Sequence, residues 1–233
     1  MKKNIFIDGE VGTTGLQVRE RLSQHPNVNI LPVEQFKRKD PSYKKEMLEA
    51  SDVTFLCLPD SGSIETTKIA DELGDKSPII IDASTAHRTN PSWSYGLPEL
   101  GLSYRNKIIG SKRIAVPGCY ATGANVIIKP LLENKLISPS EPLVINAVSG
   151  YSGGGKNLIS YFNEKDHAPQ FNYGLTLDHK HLPEIKFHND LEFNPIFCPS
   201  VGNFIQGMIV SIRSSINSAN SNLCLALVRI GSL

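Results

Sequence analysis

Cys119 stands where an apolar, strand-like run gives way to a helical pattern, in the stretch Ala115-Val116-Pro117-Gly118-Cys119-Tyr120-Ala121-Thr122-Gly123. Pro-Gly ends the strand, and apolar residues then recur at helical spacing. A thiol in the first turn of a helix faces unpaired N–H groups, so it should ionise more readily than a free thiol of pKa about 8.5. A thiolate attacks acyl carbon, which predicts Cys119 as a nucleophile. The competing interpretation is a small buried residue at a helix start.

A nucleophilic cysteine needs a partner that moves protons. Two imidazoles, His179 and His181, stand in a turn before a helical stretch, and Glu184 follows them. The pair could instead begin a metal site, but no nearby Cys or Asp spacing completes one, so no metal is predicted. Glu184 either orients a histidine or strengthens the helix start.

A glycine-rich loop follows the first apolar strand, Asn4–Asp8, and precedes a helix. In this context backbone N–H groups can cradle a pyrophosphate. The spacing G-x-x-G-x-x-G differs from the common dinucleotide fingerprint, so the glycines could simply turn the chain. We predict cofactor contacts from Gly9, Val11, Gly12, Thr13, Thr14 and Gly15.

The second predicted strand, Val28–Val33, leads into the basic residues Lys37, Arg38 and Lys39. Basic side chains there suit the 2′-phosphate of NADP, whereas an acidic residue suits the ribose hydroxyls of NAD. The basic residues therefore favour NADP. A solvated basic turn is the alternative, and Glu34 leaves NAD open.

Strands predicted at Val53–Leu58 and Pro78–Asp82 continue a β-α-β-α-β-α-β order, which indicates an α/β fold with a parallel sheet. We predict a Rossmann-like dinucleotide-binding domain over residues 1–117 and a catalytic, substrate-binding and oligomerisation domain over residues 118–233. Ligands of such sheets lie beyond the carboxyl ends of the strands. This adds Pro59 and Ser84 to the cofactor residues.

Three local expectations concern helix ends and loops. Ser61 or Ser63 could cap the helix after the third strand. The segment from Pro91 to Glu99 reads as irregular surface packing. Pro130 should kink or break the helix that follows Cys119.

Two further polar segments are candidates for anion binding. Arg88 ends the run Asp82–Arg88 and could hold a phosphate bidentately or pair with a neighbouring carboxylate. The stretch Ser149–Lys156 sets three consecutive glycines beside hydroxyls and a lysine. Its backbone could approach and donate to an anion, or the stretch could be a flexible loop.

Composition excludes several classes of protein. The chain has 233 residues, 24 of them basic and 23 acidic, for a net charge of +1, which argues against nucleic-acid and membrane-surface partners. The first apolar run is too short for a signal peptide, and no later run is long enough to span a membrane. The four cysteines lack C-x-x-C spacing, so a reducing cytoplasm is expected.

The nucleophile stretch Pro117–Thr122 resembles the signature of N-acetyl-gamma-glutamyl-phosphate reductases. Asp82–Arg88, Ser149–Gly153 and His179–Glu184 are similar to segments of the short, type 2 form of that family. The resemblance runs to about Ile212. It implies that the second domain is an α+β domain of the semialdehyde dehydrogenase and glyceraldehyde-phosphate dehydrogenase type.

The resemblance also implies an activity, the NADPH-dependent conversion of N-acetyl-glutamyl 5-phosphate into N-acetylglutamate 5-semialdehyde in arginine biosynthesis. Cys119 would form a thioester and His181 would move the proton. A homo-oligomer is expected if the second domain is intact. A relative acting on an aminoadipyl or aspartyl substrate is the alternative, and the Pro-Gly-Cys-Tyr block argues against the aspartyl enzyme. The implied substrate-binding residues are Arg88, Ser149, Gly150, Tyr151, Ser152 and Gly153.

Members of the family continue well beyond this length, with further strands and a late segment that returns to the nicotinamide. The serine- and asparagine-rich run Arg213–Ser221 and the tail to Leu233 therefore predict a C-terminal part that is missing or replaced. Residues Leu223–Ile230 could take the place of missing strands. The second functional hypothesis is a catalytically impaired remnant that binds NADP or a partner subunit.

Overall fold

The computed structural model describes residues 2–214 and the backbone of residues 226–230. The chain divides into two compact units, residues 1–117 and 118–233. Most of the serine- and asparagine-rich run, together with the last three residues of the tail, lies outside the described residues.

The first unit alternates strands and helices around a six-stranded sheet, all of whose strand pairs are parallel. The strand order is β2-β1-β3-β4-β6-β5. Short 3₁₀ turns at Gly74–Lys76 and Pro98–Leu100 join the elements. The elements are β1 (Lys3–Asp8), α1 (Thr13–Ser23), β2 (Val28–Ile30), α2 (Pro41–Ala50), β3 (Val53–Leu56), α3 (Asp60–Glu72), β4 (Ile79–Asp82), β5 (Ser94–Tyr95), α4 (Leu102–Ile109) and β6 (Arg113–Ala115).

Apolar burial explains this arrangement. Phe6 on β1, Leu56 on β3 and Ile80 on β4 form one cluster with Leu48 of α2 and Ala70 of α3. Strands covered by helices read as continuous apolar runs, which is why they stand out in the sequence. The predicted α/β class with a parallel sheet is confirmed.

The second unit is a five-stranded mixed sheet with the order β11-β10-β7-β9-β8. β7 and β9 are parallel and the other pairs are antiparallel. The 3₁₀ turn Tyr151–Gly154 follows β7. The elements are α5 (Cys119–Glu133), β7 (Val144–Gly150), α6 (Gly155–Asn163), β8 (Gln170–Asn172), α7 (Leu182–His188), β9 (Ile196–Gly202), β10 (Met208–Arg213) and β11 (Ala226–Ile230).

The core of this unit lies between one face of the sheet and helices α5 and α7. Ala124 and Ile128 of α5 and Ile185 of α7 are fully buried with Ile145 of β7 and Val210 of β10. The core therefore fixes the start of α5, where Cys119 lies, relative to the strand ends of the same unit.

Several local expectations are wrong. Pro59 is the N-cap of α3, and Ser63 instead donates its hydroxyl to Asp82 Oδ1 at 2.9 Å. The Pro91–Glu99 segment is not irregular surface, because it contains β5, whose Tyr95 is 4% exposed and pairs with β6. A two-residue strand and the helix α4 carry too little periodicity to be recognised.

Pro130 does not break α5, which continues to Glu133. The proline lies in the last turn, where Asn134 donates both its backbone N–H and its side-chain amide to the Pro130 carbonyl. The helix thus ends about one turn later than the proline rule suggests.

Three predicted strands were also drawn too long. β2 ends at Ile30 and β3 at Leu56, and a further strand that the sequence predicts at Phe204–Ile212 begins only at Met208, as β10. In the described part of the chain, no helix is both long and apolar enough to cross a membrane.

Candidate active site

Gly118 lies immediately before Cys119 and is packed between two side chains of the α7 region. Its N–H donates to Glu184 Oε2 at 3.1 Å. A Cβ at this position would lie 2.4 Å from Glu184 Oε1 and 2.5 Å from His181 Nε2, distances that real Cβ atoms essentially never show. Only glycine lets the imidazole and the carboxylate approach the backbone this closely.

Cys119 is exposed and opens α5, with Gly118 as the N-cap. His181 and Glu184, by contrast, are 4% and 1% exposed. The exposed thiol therefore stands at the positive end of a helix, one residue after the glycine against which a buried imidazole packs. This arrangement suits a cysteine nucleophile with a proton partner. Glu184 does more than either role expected for it, because it fixes the backbone that carries the nucleophile.

The two imidazoles do different things. His179 Nδ1 accepts the backbone N–H of His181 at 3.2 Å, which requires that this nitrogen carry no proton. Burial lowers the pKa of His179, and Lys180 adds to the effect, so the ring stays neutral and keeps this bond. His181 is thus the imidazole that faces Gly118, and His179 orients it. Within the described residues, no group of three or more His, Cys, Asp or Glu could hold a metal ion.

Tyr120 sits in the first turn of α5 and is 2% exposed. Its hydroxyl lies 2.9 Å from Ser149 Oγ and 3.0 Å from the Ser200 carbonyl, and Tyr173 donates to it at 3.2 Å. This tyrosine ties the nucleophile's helix to the ends of β7 and β9.

The Ser149–Gly153 segment uses much of its backbone internally. The N–H groups of Gly150, Tyr151 and Ser152 donate to the carbonyls of Gly207, Phe204 and Ile205 respectively. A Cβ on Gly150 would lie 2.6 Å from the Phe204 carbonyl. These amides do not offer the anion cradle expected of them, and Gly150 serves close packing.

In the first unit, the glycine loop is shaped by two close approaches. Gly9 has φ +93°, and its Cβ would lie 2.3 Å from the Cys57 carbonyl; a Cβ on Gly15 would lie 2.2 Å from the Gly9 carbonyl. The loop is thereby pressed against the end of β3 and the start of α1. Gly12 is the N-cap of α1, and Thr13 and Thr14 form its first turn, where N–H groups are available to an anion.

A cavity of about 470 Å³ opens beside this loop. Of the predicted cofactor residues, it brings together Gly9, Val11, Arg38 and Lys39. Lys37 is not among the lining residues, and its Nζ lies 3.0 Å from Glu34 Oε2. The lining consists of Phe6, Ile7, Asp8, Gly9, Glu10, Val11, Val33, Gln35, Arg38, Lys39, Tyr43, Lys44, Leu58 and Glu65.

A buried polar cluster of Asp8, Lys44 and Thr66 adjoins this cavity, and the sequence did not predict it. Lys44 Nζ lies 3.5 Å from Asp8 Oδ2, and Thr66 donates to the same oxygen at 2.9 Å. Burial raises the pKa of Asp8, against the opposing effects of Lys44 and Thr66. An acidic residue ending a buried strand just before Gly9 was a signal for Asp8, but Lys44 looks like any surface lysine in the sequence.

The strand ends next to the glycine loop carry a second buried polar network. Burial alone would raise the pKa of Asp82, but hydrogen bonds outweigh it and the pKa is lowered. The donors include His87 at 2.7 Å and the Ser84 hydroxyl at 2.7 Å. The Ser84 side chain thus already forms hydrogen bonds within this segment. Next to it, Asp60 accepts hydrogen bonds from both the N–H and the hydroxyl of Thr85.

Arg88 is 8% exposed, and its guanidinium donates to the main-chain carbonyls of Val116 at 2.9 Å and Ala83 at 3.1 Å. These main-chain carbonyl contacts differ from both interactions that the sequence suggested for Arg88, with a phosphate or with a neighbouring carboxylate. Arg88 joins the end of β4 to the strand end that leads into Pro117, so it supports the segment before the nucleophile.

Gly118→Ala tests the packing around the nucleophile. The added methyl displaces His181 and Glu184, so we expect turnover to fall by at least about a hundredfold, as when one positioned acid–base group is lost. Steady-state kinetics and the rate of Cys119 alkylation by iodoacetamide measure the effect. Gly110→Ala is the matched control, because its Cβ meets nothing closer than 4.0 Å. Equal activity of both variants would contradict the packing argument.

Two protein families match this chain. The semialdehyde dehydrogenase NAD binding domain matches residues 4–108, and the semialdehyde dehydrogenase dimerisation domain matches residues 119–227. Among solved structures, aspartate semialdehyde dehydrogenase II from Vibrio cholerae is similar in fold, with a TM-score of 0.66 and 14% identity over 94% of this chain and 75% of that chain. Aspartate semialdehyde dehydrogenase from Candida albicans has a TM-score of 0.61 and 13% identity over 94% and 73% of the two chains.

Curated relatives are much closer in sequence. N-acetyl-gamma-glutamyl-phosphate reductases from Brucella ovis and Brucella suis are each 43% identical over 233 residues, covering 98% of this chain and 74% of the relative. The matched region covers both units. The chain belongs to the N-acetyl-gamma-glutamyl-phosphate reductase family.

Proposed function

We propose that the chain catalyses the reductive dephosphorylation of N-acetyl-glutamyl 5-phosphate to N-acetylglutamate 5-semialdehyde with NADPH, a step of arginine biosynthesis. The observation that carries the proposal is the contact of His181 and Glu184 with Gly118, next to the exposed Cys119. The reaction belongs in the cytoplasm, where a nucleophilic thiol stays reduced.

The chemistry follows from the groups present. The Cys119 thiolate attacks the acyl carbon, the carbon–oxygen bond to phosphate breaks, and a thioester remains on Cys119. When bound, reduced nicotinamide supplies the hydride that converts the thioester to the aldehyde oxidation level. The carbon–sulfur bond then breaks, which releases the aldehyde and restores the thiolate. His181 Nε2, which faces Gly118, is the atom that would hold the proton near the reacting oxygen and sulfur.

The first unit fits a nicotinamide dinucleotide. Gly9 and Gly15 allow the loop its tight course, and the first turn of α1 presents N–H groups to a pyrophosphate. Arg38 and Lys39 line the adjoining cavity and supply positive charge for a phosphate. We infer NADP rather than NAD on this basis, since Glu34 pairs with Lys37 and is not part of the lining.

Phosphate-dependent turnover tests the function. In the reverse direction, wild-type protein given N-acetylglutamate 5-semialdehyde, phosphate and NADP should form NADPH, and Cys119→Ser should lose at least about a thousandfold in rate because the nucleophile is gone. Absorbance of NADPH measures the rate, with Cys198→Ser as the matched control. A folded wild-type protein without activity would favour the remnant hypothesis.

Arg38→Ala tests the choice of cofactor. Loss of a guanidinium–phosphate contact should raise KM for NADPH by about ten- to a hundredfold and leave KM for NADH nearly unchanged. Lys45→Ala, on the exposed side of α2, should change neither constant. An equal rise for both cofactors would contradict recognition of the 2′-phosphate by Arg38.

The second unit's sheet has an outward face suited to a second copy of the chain. Ile209 pairs with Val148 in register, and Ile209 and Ile196 are 40% and 44% exposed. The match to a dimerisation domain covers these strands. We propose a homo-oligomer built on this face, because apolar sheet surface is stabilised when covered.

Ile209→Glu tests the oligomer. A charge in the middle of a buried apolar interface should shift the protein from dimer or larger species to monomer in sedimentation velocity. Ile109→Glu, at a site 76% exposed on α4, should leave the species unchanged. A wild-type protein that sediments as a monomer at micromolar concentration would contradict the proposal.

A further inference from the structure

The hydroxyl groups of Tyr173, Tyr120 and Ser149 form a chain that the reaction outlined above does not yet use. Tyr173 donates to the Tyr120 hydroxyl at 3.2 Å, and that hydroxyl lies 2.9 Å from Ser149 Oγ. The Ser200 carbonyl stands 3.0 Å from the same hydroxyl. All four groups lie in the second unit, within reach of the nucleophile's helix.

A count of protons shows that these contacts cannot all be donated by Tyr120. A phenol has one proton and two lone pairs, and a carbonyl can only accept. Tyr120 has the donor geometry in both contacts, so its single proton points either to the Ser200 carbonyl or to Ser149 Oγ. When Tyr120 donates to Ser149, the serine proton is left to point elsewhere. The two arrangements differ only in the rotation of hydroxyl hydrogens.

Burial keeps the two phenols of this hydrogen-bond chain protonated. Burial is the main cause that raises the pKa of Tyr120, and the same cause raises the pKa of Tyr173. Tyr120 directly follows Cys119 in the chain, and a negative charge on Cys119 would raise the pKa of both phenols further. Both phenols therefore remain hydrogen-bond donors at neutral pH.

Ser149 is the outer member of the chain. It is only partly buried and lies at the end of β7, whereas Tyr120 is 2% exposed. The N–H groups of Gly150 and Tyr151 are already bonded to carbonyls of the second unit. The hydroxyl of Ser149 is thus a donor at this strand end that the fold can redirect without breaking backbone hydrogen bonds.

We propose that Tyr120 is a positioning residue that donates to Ser149, so that the Ser149 hydroxyl donates in turn to an anionic oxygen of the acyl-phosphate substrate. This role rests on the proposed function and adds to it a residue that acts through another. The Tyr120 hydroxyl has the geometry to donate to Ser149 Oγ at 2.9 Å, which lets the serine proton point away from Tyr120. Each donor polarises the next, so the bond from Tyr120 strengthens the Ser149 hydroxyl as a donor to the substrate.

A double-mutant cycle on the full-length protein tests the chain. Ser149→Ala should lower kcat/KM for the semialdehyde and phosphate by about ten- to a hundredfold, as expected for a hydrogen bond to a charged group. Tyr120→Phe keeps the ring packing and should lower it by about three- to tenfold. In the Ser149→Ala background, Tyr120→Phe should cost less than about twofold, because Tyr120 then has no serine to orient.

Two further readouts separate positioning from a structural role. Protection of Cys119 from iodoacetamide by the semialdehyde should weaken in Tyr120→Phe, while alkylation without ligand stays at the wild-type rate. Tyr161→Phe is the matched control, since it removes a hydroxyl that accepts the Ala168 N–H at 3.0 Å, and it should leave kcat/KM and protection unchanged.

The outcomes separate a failure of this hydrogen-bond chain from a failure of the proposed reductase function. If the wild type is active but Tyr120→Phe lowers kcat/KM equally in the wild-type and Ser149→Ala backgrounds, only the proposed hydrogen-bond chain is overturned. The same holds if Tyr120→Phe has no effect on kcat/KM. A folded wild type that neither turns over nor is protected by the semialdehyde would overturn the proposed reaction and this role together.

Discussion

The close packing of Gly118 against His181 and Glu184 is the contact on which the position of Cys119 depends. A hydrogen bond from the Gly118 N–H to a carboxylate that is 1% exposed holds the backbone just before Cys119. Because Gly118 has no side chain, the His181 imidazole can pack against the same residue. Because α5 begins at the next residue, the thiol takes its position from this contact and from the helix behind it.

The rest of the second unit maintains that contact. α5 and α7 share the apolar core, and a buried amide pair joins them farther along, where Asn189 donates to Asn125 at 2.7 Å. Asn125 and Asn189 are 0% and 2% exposed, and such a buried polar pair favours one relative placement of two helices. Cys119 and His181, the proposed nucleophile and proton partner, thus lie at the starts of two helices that are joined at more than one point.

Much of this could be predicted from the sequence. The alternation of apolar runs with helical periodicity indicated the parallel sheet, and Pro-Gly before an apolar periodic run indicated the helix that begins at Cys119. These signals are local, since strand burial and helix starts leave residue types at fixed spacing. The family assignment followed from the same stretch and is confirmed by relatives 43% identical.

What could not be predicted depends on contacts between distant residues. Glu184 bonds to Gly118 across 66 positions and Thr66 to Asp8 across 58, and no local pattern encodes such pairs. The amides of the Ser149–Gly153 segment looked free in sequence, yet the residues 204–207 that occupy them lie far along the chain. A two-residue strand such as β5 is formed by its neighbour rather than by its own sequence.

The most direct test of this account is the identity of the covalent intermediate. Wild-type protein mixed with N-acetylglutamate 5-semialdehyde and NADP, without phosphate, should form about one NADPH per chain, because the thioester then has no phosphate to accept the acyl group. Mass spectrometry of the quenched protein should find the N-acetylglutamyl group on Cys119. NADPH formed without an acyl group on the protein, or an acyl group on Cys198 with Cys119 unmodified, would contradict the account.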